Sequence, residues 1–388
     1  TLDKIKQIEQ EYSDLNTTEG ESQIGILTNG VSYQYMKELN LEGIKLGKLN
    51  FTYPISKKFV KKFIQGLDKL VVVEELEPII ENFVIQIAKE ENCSLEIHGK
   101  DLLPRIGEFN PDLILEALSP ILGINKEKKE EIKVEIPERK PNLCAGCPHS
   151  STFFALKKVL GKEVVWAGDI GCYLLGIFEP WKTADFLISM GAGIGIGHGI
   201  GKTSQQQIVS LIGDSTFFHA GIPALTNMKL NGSKGLVVIL NNDTTAMTGH
   251  QPHPASKYTP VCTALEALKI ENVVRSLGIE NIKIANSFNQ KELQEAIKEL
   301  TNKKELGVLI SQGTCRLLEK RKLKKEGRKF PVFEIDQEKI ELIGSKLDDF
   351  ACPAIIERKG KKFIHPDLCW GCGVCVQLCP PGVIKVKK

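Results

Sequence analysis

The feature that most constrains this 388-residue chain is a run near its end, Cys369-Trp-Gly-Cys372-Gly-Val-Cys375-Val-Gln-Leu-Cys379-Pro380. Thiolates spaced three residues apart on a tight, glycine-assisted turn can reach three corners of one iron–sulfur cubane. The segment around such a run is organised by an inorganic cluster as much as by its own apolar core. A zinc knuckle or a set of buried free thiols is the bland alternative, and the trailing proline argues against it. The chain carries 11 cysteines, most of them in short-spaced groups, which points to metal ligation and not to disulfides. Cys93 and Cys262 stand apart from these groups.

The spacing is that of bacterial ferredoxins, and in two-cluster ferredoxins the fourth cysteine of each run ligates the other cluster. A second run is therefore expected upstream. Cys352-Pro353 supplies its ending, but the three preceding ligand positions hold Ile340, Ile343 and Lys346. The tail resembles a two-cluster ferredoxin that has lost one cluster. The crossing rule then makes Cys352 the fourth ligand beside Cys369, Cys372 and Cys375, with Cys379 as the local alternative. If Cys352 closes the site, Cys379 is left as a free thiol.

Charge gives little direction, because Lys+Arg number 51 against 48 Asp+Glu, a net of +3, and no global field favours nucleic acid. No apolar stretch approaches the roughly 18 to 20 residues that span a bilayer, and no signal pattern opens the chain, so a cytoplasmic protein with no membrane contact is expected. The first residues, Thr-Leu-Asp without an initiator Met, suggest a processed product or a piece of a longer protein.

Along the chain, strand-like apolar runs alternate with helical patterns. Runs at 24–27 and 70–73, a Thr-Asn-Gly turn at 28–30 and a helix over 33–39 predict a small parallel α/β domain over 1–124. A Lys/Glu-rich stretch over 125–141 reads as a linker. Strands at 164–166, 208–212, 236–240 and 308–310 predict a larger α/β domain over 142–315. Residues 316–330 read as a basic, solvated link to a small ferredoxin-like domain over 331–388.

In the larger domain one strand ends at Gly213-Asp214-Ser215 and another at Asn241-Asn242, with Asp214 and Asn242 28 residues apart. A carboxylate and an amide oxygen at the ends of two parallel strands can meet on one Mg²⁺, with helix-start amides facing phosphate. The pattern resembles the thiamine-diphosphate motif, whose further ligand is a backbone carbonyl, here that of Thr244. Plain strand-ending turns give the same residues. The run Met190-Gly-Ala-Gly-Ile-Gly-Ile-Gly197 and Thr248-Gly-His-Gln251 add context, although glycine runs also serve tight packing.

Cys144-Ala-Gly-Cys147-Pro-His149 opens this domain, Cys172 follows in Gly168-Asp-Ile-Gly-Cys172, and Cys315 follows the last strand. Taken alone, such a C-x2-C leaves zinc, redox and structural roles open. Together with Asp214, Asn242 and the tail, these residues resemble 2-oxoacid:ferredoxin oxidoreductases, most closely the alpha subunits of indolepyruvate ferredoxin oxidoreductases. Phe51-Thr-Tyr-Pro54, Val73-Glu-Glu-Leu-Glu-Pro78, Ile97-His-Gly-Lys100 and Gly213-Asp-Ser-Thr-Phe-Phe218 carry the likeness over nearly the whole chain.

The resemblance implies two parallel-sheet α/β domains, the larger a thiamine-diphosphate-binding fold, plus the small ferredoxin-like domain. It implies Mg²⁺ on Asp214, Asn242 and Thr244, diphosphate near Gly213 and Ser215, and a second 4Fe–4S cluster on Cys144, Cys147, Cys172 and Cys315. It implies oxidative decarboxylation of aryl 2-oxoacids to arylacetyl-CoA with electrons passed to ferredoxin. A beta subunit in a hetero-oligomer and coenzyme A are the implied partners. His149, His250 and His253 could move protons at the substrate end. Such subunits begin with a further domain that binds the aminopyrimidine and carries an activating glutamate, which is not found in this sequence. The rival readings are a non-oxidative thiamine-dependent decarboxylase and a non-catalytic electron-transfer subunit.

Overall fold

A computed structural model describes residues 2–124, 134–138, 140–161, 163–256 and 266–387. The chain divides into two compact units, Thr1–Ile136 and Pro137–Lys388.

The first unit holds β1 (Thr17–Glu19), β2 (Ile24–Asn29), β3 (Lys45–Leu49), β4 (Lys69–Val73) and β5 (Glu96–His98) in the order β1-β3-β2-β4-β5. β2 to β5 run parallel, and β1 pairs antiparallel to β3 at the edge, so the sheet is mixed where a parallel one was expected. Alternation sorts the strand side chains cleanly. Leu27, Leu49, Leu70 and Val72 enter one core, while Ile26, Leu46, Val71 and Val73 enter the other. Burial on both faces is why these strands read as apolar runs. The expected turn at 28–30 is absent: β2 continues through Asn29, and Gly30 starts the helix Gly30–Leu39 with φ +49. Glycine tolerates that geometry without a Cβ penalty, so strand passes to helix with no intervening loop.

The second unit is built on β6 (Val164–Ala167), β7 (Gln207–Gly213), β8 (Gly235–Asn241), β9 (Ile282–Asn286) and β10 (Leu306–Gln312). They form one all-parallel sheet in the order β6-β7-β8-β10-β9. Val209, Leu211, Val238, Leu240 and Leu309 face one core, and Ile212, Val237, Ile239, Val308 and Ile310 the other. The order seats β10 directly against β8, which brings the chain after β10 beside the chain after β8.

The tail adds β11 (Phe333–Ile335), β12 (Ile355–Arg358), β13 (Lys361–Ile364) and β14 (Ile384–Val386), paired β11 with β14 and β12 with β13, both antiparallel. It does not stand apart from the α/β body. Phe350, Val374 and Leu378 join the same core as Phe153, Leu156 and Trp181. Phe350 meets Phe154 and Trp181 edge-on at 6.1 and 6.5 Å. Gln377 accepts from the Gln290 N–H at 3.0 Å and donates to the Phe288 carbonyl at 2.7 Å.

The basic stretch, expected as a link, is for ten residues a helix, Arg316–Lys325. Lys, Arg, Leu and Glu are good helix formers, and Gly327 ends the run at φ +67. Of the expected linker at 125–141, residues 125–133 and Arg139 lie outside the described residues, as does Cys262. Among the described residues, no helix is long and apolar enough to cross a membrane.

Candidate functional site

All the candidate residues of the larger sheet gather at the carboxyl ends of its strands, where side chains and helix-start amides converge without interrupting strand pairing. Asp214, the residue after β7, is buried. Its Oδ1 accepts from the Ser215 N–H at 2.8 Å, and its Oδ2 from the Asn242 N–H at 2.9 Å. One carboxylate thus ties the ends of β7 and β8 together. Asn242 Oδ1 accepts from the Thr244 N–H at 3.1 Å, and the Thr245 hydroxyl donates to Ser215 Oγ at 2.8 Å. Asp243, between them, sits at φ +67, so the chain turns sharply enough to bring Thr244 back over Asn242.

Two histidines complete this layer. His149 Nε2 lies 3.2 Å from the Asn242 amide nitrogen, and burial holds the imidazole down to about 4, partly offset by Asp214. It is neutral near pH 7, with Nε2 free to accept the Asn242 N–H. His253 is buried with Nε2 3.2 Å from Asp214 Oδ2, yet this nitrogen has no well-aligned hydrogen-bond partner. A carboxylate, an amide oxygen and an orphaned imidazole N–H at adjoining strand ends suit a cation held with a diphosphate, so the residues fit the group.

The glycine run does something different from cradling phosphate. Gly191 receives Asp169 at its N–H, at 2.9 and 3.1 Å, and starts the helix Ala192–Thr203. A Cβ on Gly193 would sit 2.4 Å from the Gly168 carbonyl, and one on Gly197 2.8 Å from Ser210 Oγ. Gly195 and Gly199 face open space. Alternate glycines therefore let the helix lie close on β6 and β7. Asp169 escaped the sequence reading, although its Gly-Asp pair after β6 repeats the Gly213-Asp214 pattern after β7.

The cysteines fall into two neighbouring groups. Cys144 and Cys172 both lie within electrostatic reach of Cys315 and of each other, and Cys147 is next to both. Cys147 stands at the N-cap position of the helix Pro148–Leu160, where the nearby His149 and Ser150 amides favour its thiolate against its burial. Burial pushes the Cys172 thiol up to about 11. Cys315 Sγ lies 3.6 Å from His250 Nε2, whose other ring nitrogen accepts from Arg321 at 3.0 Å. His250 adopts φ +67 to make this contact.

In the tail, Cys352, Cys369, Cys372 and Cys375 line one cavity, and Cys379 does not. Cys379 lies instead in the small core with Ile335, Ile343, Leu347 and Val383, beside Lys346, where the ligands of a second cluster would stand. The Ile355 N–H donates to the Cys352 carbonyl at 2.9 Å, and the backbone amides of Ala354 and Gly146 favour the Cys352 thiolate against its burial. The two groups of thiols abut: Gly146 belongs to the Cys144–Cys147 turn, and a Cβ there would lie 3.3 Å from Cys372 Cβ and 3.6 Å from its Sγ. Among the described residues no three His, Cys, Asp or Glu side chains converge on a single metal ion. A cubane binds each thiolate to a different iron and needs a wider cage, so four thiols around a cavity, fed by backbone N–H donors, fit a cluster better than an ion.

Residues 169–311 match the family of thiamine pyrophosphate enzymes, C-terminal TPP binding domain, and residues 362–385 match the 4Fe-4S binding domain family. Over 420 aligned residues the chain is 36% identical to the indolepyruvate oxidoreductase subunit IorA of Pyrococcus horikoshii, covering 100% of this chain and 65% of that one. The protein of the same name from Methanothermobacter thermautotrophicus is 39% identical over 401 residues, covering 99% of this chain and 64% of that one. Over its whole length this stretch of chain is similar to the indolepyruvate oxidoreductase subunit IorA of those organisms. It spans just under two thirds of the length of those relatives. Among solved structures, a 2-oxoglutarate:ferredoxin oxidoreductase from Magnetococcus marinus is similar at a TM-score of 0.41 and 18% identity, over 47% of this chain and 66% of that one.

Proposed function

We propose that this chain supplies the diphosphate-binding half and the electron-transfer clusters of an enzyme that oxidatively decarboxylates aryl 2-oxoacids to their acyl-CoA forms and reduces ferredoxin. The observation that carries the reading is the junction of two centres: the four-cysteine group of Cys144, Cys147, Cys172 and Cys315 shares its wall with the Asp214 and Asn242 layer, because the Cys315 N–H donates to the Asn242 carbonyl at 3.0 Å. A carbon-centred reaction and an electron sink side by side are what an oxidative decarboxylation needs and a simple decarboxylation does not.

Thiamine diphosphate, when bound, supplies an electron sink for cleaving a bond next to a carbonyl. The chain's own residues hold and orient it. Asp214, the Asn242 side-chain oxygen and the Thr244 carbonyl would hold Mg²⁺, and Gly213 and Ser215 would face the diphosphate. His149 accepts from the Asn242 amide and so fixes which way the side chain faces, leaving its oxygen for a bound metal, a positioning role that a ring neutral at physiological pH performs well. His250 and Arg321 fix the Cys315 side of the first cage. Cys352, Cys369, Cys372 and Cys375 would hold the second cluster, which would supply one-electron transfer when bound. The substrate, coenzyme A, the aminopyrimidine-binding half with its activating glutamate, and a beta subunit belong to the same proposal and complete a hetero-oligomer.

The test is anaerobic purification of the complex, with iron, sulfide and thiamine quantified per copy of this chain, followed by assay of ferredoxin reduction. Two clusters, one thiamine, and reduction that requires both arylpyruvate and coenzyme A are expected. Aldehyde formation without ferredoxin reduction would instead identify a non-oxidative decarboxylase.

A further inference from the structure

Arg316 occupies an unusual position for a residue in a basic run. The other Lys and Arg side chains from Lys320 to Lys329 are exposed, whereas the Arg316 side chain is only 13% exposed. Its guanidinium lies between two aromatic faces, 4.8 Å from the Phe288 ring centre and 4.6 Å from that of Phe330. Nη2 donates to the Gly371 carbonyl at 3.1 Å, Nη1 pairs with Glu319, and Nε is buried with no partner.

The surroundings connect both groups of thiols. Arg316 directly follows Cys315 of the first cage, and Gly371 directly precedes Cys372 of the second. A Cβ placed on Gly146 would meet Arg316 Cγ and Cys372 Sγ at the same 3.6 Å, so guanidinium stem, first-cage turn and second-cage thiol converge on one point. Gly371 has φ +59, and a Cβ there would lie 2.5 Å from the Pro331 carbonyl, so the turn packs closely against the backbone at Pro331. A cation stacked between rings and fixed by one carbonyl loses little further entropy on holding that place.

We propose that Arg316 is a positioning residue that locks the Gly371 turn against the first cage and keeps a fixed positive charge beside Cys372, raising the reduction potential of the tail cluster. The proposal rests on the reading of the two cages given above. One-electron reduction adds one negative charge to a cage, and a nearby fixed cation in a poorly solvated setting stabilises that charge. Such a charge would favour transfer from the first cage to the second by means of a side chain instead of a difference in ligands.

The experiment is an anaerobic redox titration of the complex with dithionite as electron donor, followed by electron paramagnetic resonance. Iron and sulfide are measured first. Two clusters in the wild type establish the reading, and fewer would sink that reading before any variant is made. The tail signal is the one missing from Cys369→Ala protein. In Arg316→Gln the tail cluster should become about tenfold harder to reduce, about 59 mV for one electron, while the first cluster moves less. Arg316→Lys, which keeps the charge, should stay within about threefold of wild type on the same conversion. A tail potential in Arg316→Gln within threefold of wild type, or an equal fall in both variants, overturns the proposal. Where Arg316→Gln loses its iron, wild-type protein labelled with ¹⁵N-arginine decides: pulsed measurements should find a nitrogen coupling to the reduced tail cluster that vanishes in Arg316→Lys, and no coupling overturns it.

Discussion

The backbone N–H of Cys315 donates to the carbonyl of Asn242 at 3.0 Å. Cys315 ends the turn after β10 and Asn242 follows β8, and the neighbouring Gly313 N–H donates to the Asn241 carbonyl at 2.9 Å in the same way. Two centres of different chemistry are thereby held at one strand edge by main-chain bonds, which no side-chain substitution removes. A change of side chain at either position should alter one centre and leave the placement of the other intact.

Closure of the tail cage by a distant cysteine gives the sharpest contrast. Cys352→Ser should lower iron and sulfide by about one cluster's share and abolish the tail signal, because removing a thiolate from a four-thiolate cage leaves one iron without its ligand. Cys379→Ala should keep the full iron content. Iron analysis with electron paramagnetic resonance on both variants checks this, and the opposite result would return the fourth position to Cys379.

At the strand edge, Asp214→Asn should weaken Mg²⁺-dependent binding of thiamine diphosphate by at least about 100-fold, since the carboxylate proposed to hold the metal is lost. His149→Ala, which removes the acceptor for the Asn242 amide, should cost about 10- to 100-fold in metal affinity, the usual range for a group that orients a ligand. Titration calorimetry of the complex separates the two.

Glycine positions on one helix should respond with opposite signs. Gly193→Ala sets a Cβ 2.4 Å from the Gly168 carbonyl, and backbone cannot yield as a side chain does, so a loss of about 1–3 kcal/mol is expected. Gly195→Ala meets nothing within 4 Å in the same helix and should gain about 0.5–1 kcal/mol. Chemical denaturation reads both, and a stabilising Gly193→Ala would refute the close approach of helix to sheet.

The first unit offers a pH test of its own. His98 Nδ1 lies 2.7 Å from Asp101 and Nε2 2.8 Å from Glu96, and these contacts raise the imidazole above its usual range, the hydrogen bond with Asp101 most, against an opposing effect of burial. A raised value means the stabilisation is complete below about pH 6.5, the ordinary imidazole value, and fades as pH climbs through the folded one. Both carboxylates are lowered, so their share is lost as pH falls below about 4. The stability difference between wild type and His98→Gln should peak between those limits. It should stay under about 1 kcal/mol because the group is partly exposed. Denaturant melts at pH 5, 6 and 8 check the trend, which a difference growing toward pH 8 would contradict.

The sequence by itself determined whatever depends on a few consecutive residues. Three thiolates at Cys369, Cys372 and Cys375 on one glycine-assisted turn, a Gly-Asp pair ending one apolar run and Asn-Asn ending another are local geometry, fixed by backbone conformation within a few residues of each group. Alternating apolar runs likewise announced buried parallel strands, although the antiparallel edge of β1 and the direct passage from β2 into a helix left no distinct pattern. Tertiary structure alone decided which groups meet across the chain. Cys315 joins Cys144, Cys147 and Cys172 because β10 inserts between β8 and β9, and no spacing encodes strand order. Cys352 rather than Cys379 borders the tail cavity because the apolar packing of Ile343, Leu347 and Val383 draws Cys379 into its own core. Arg316 looked like one charge among eight, and only the two rings and the Gly371 carbonyl closing around it set it apart. Contacts of that kind follow from the free energy of the whole packed fold, in which residues distant along the chain become neighbours only after the cores have formed.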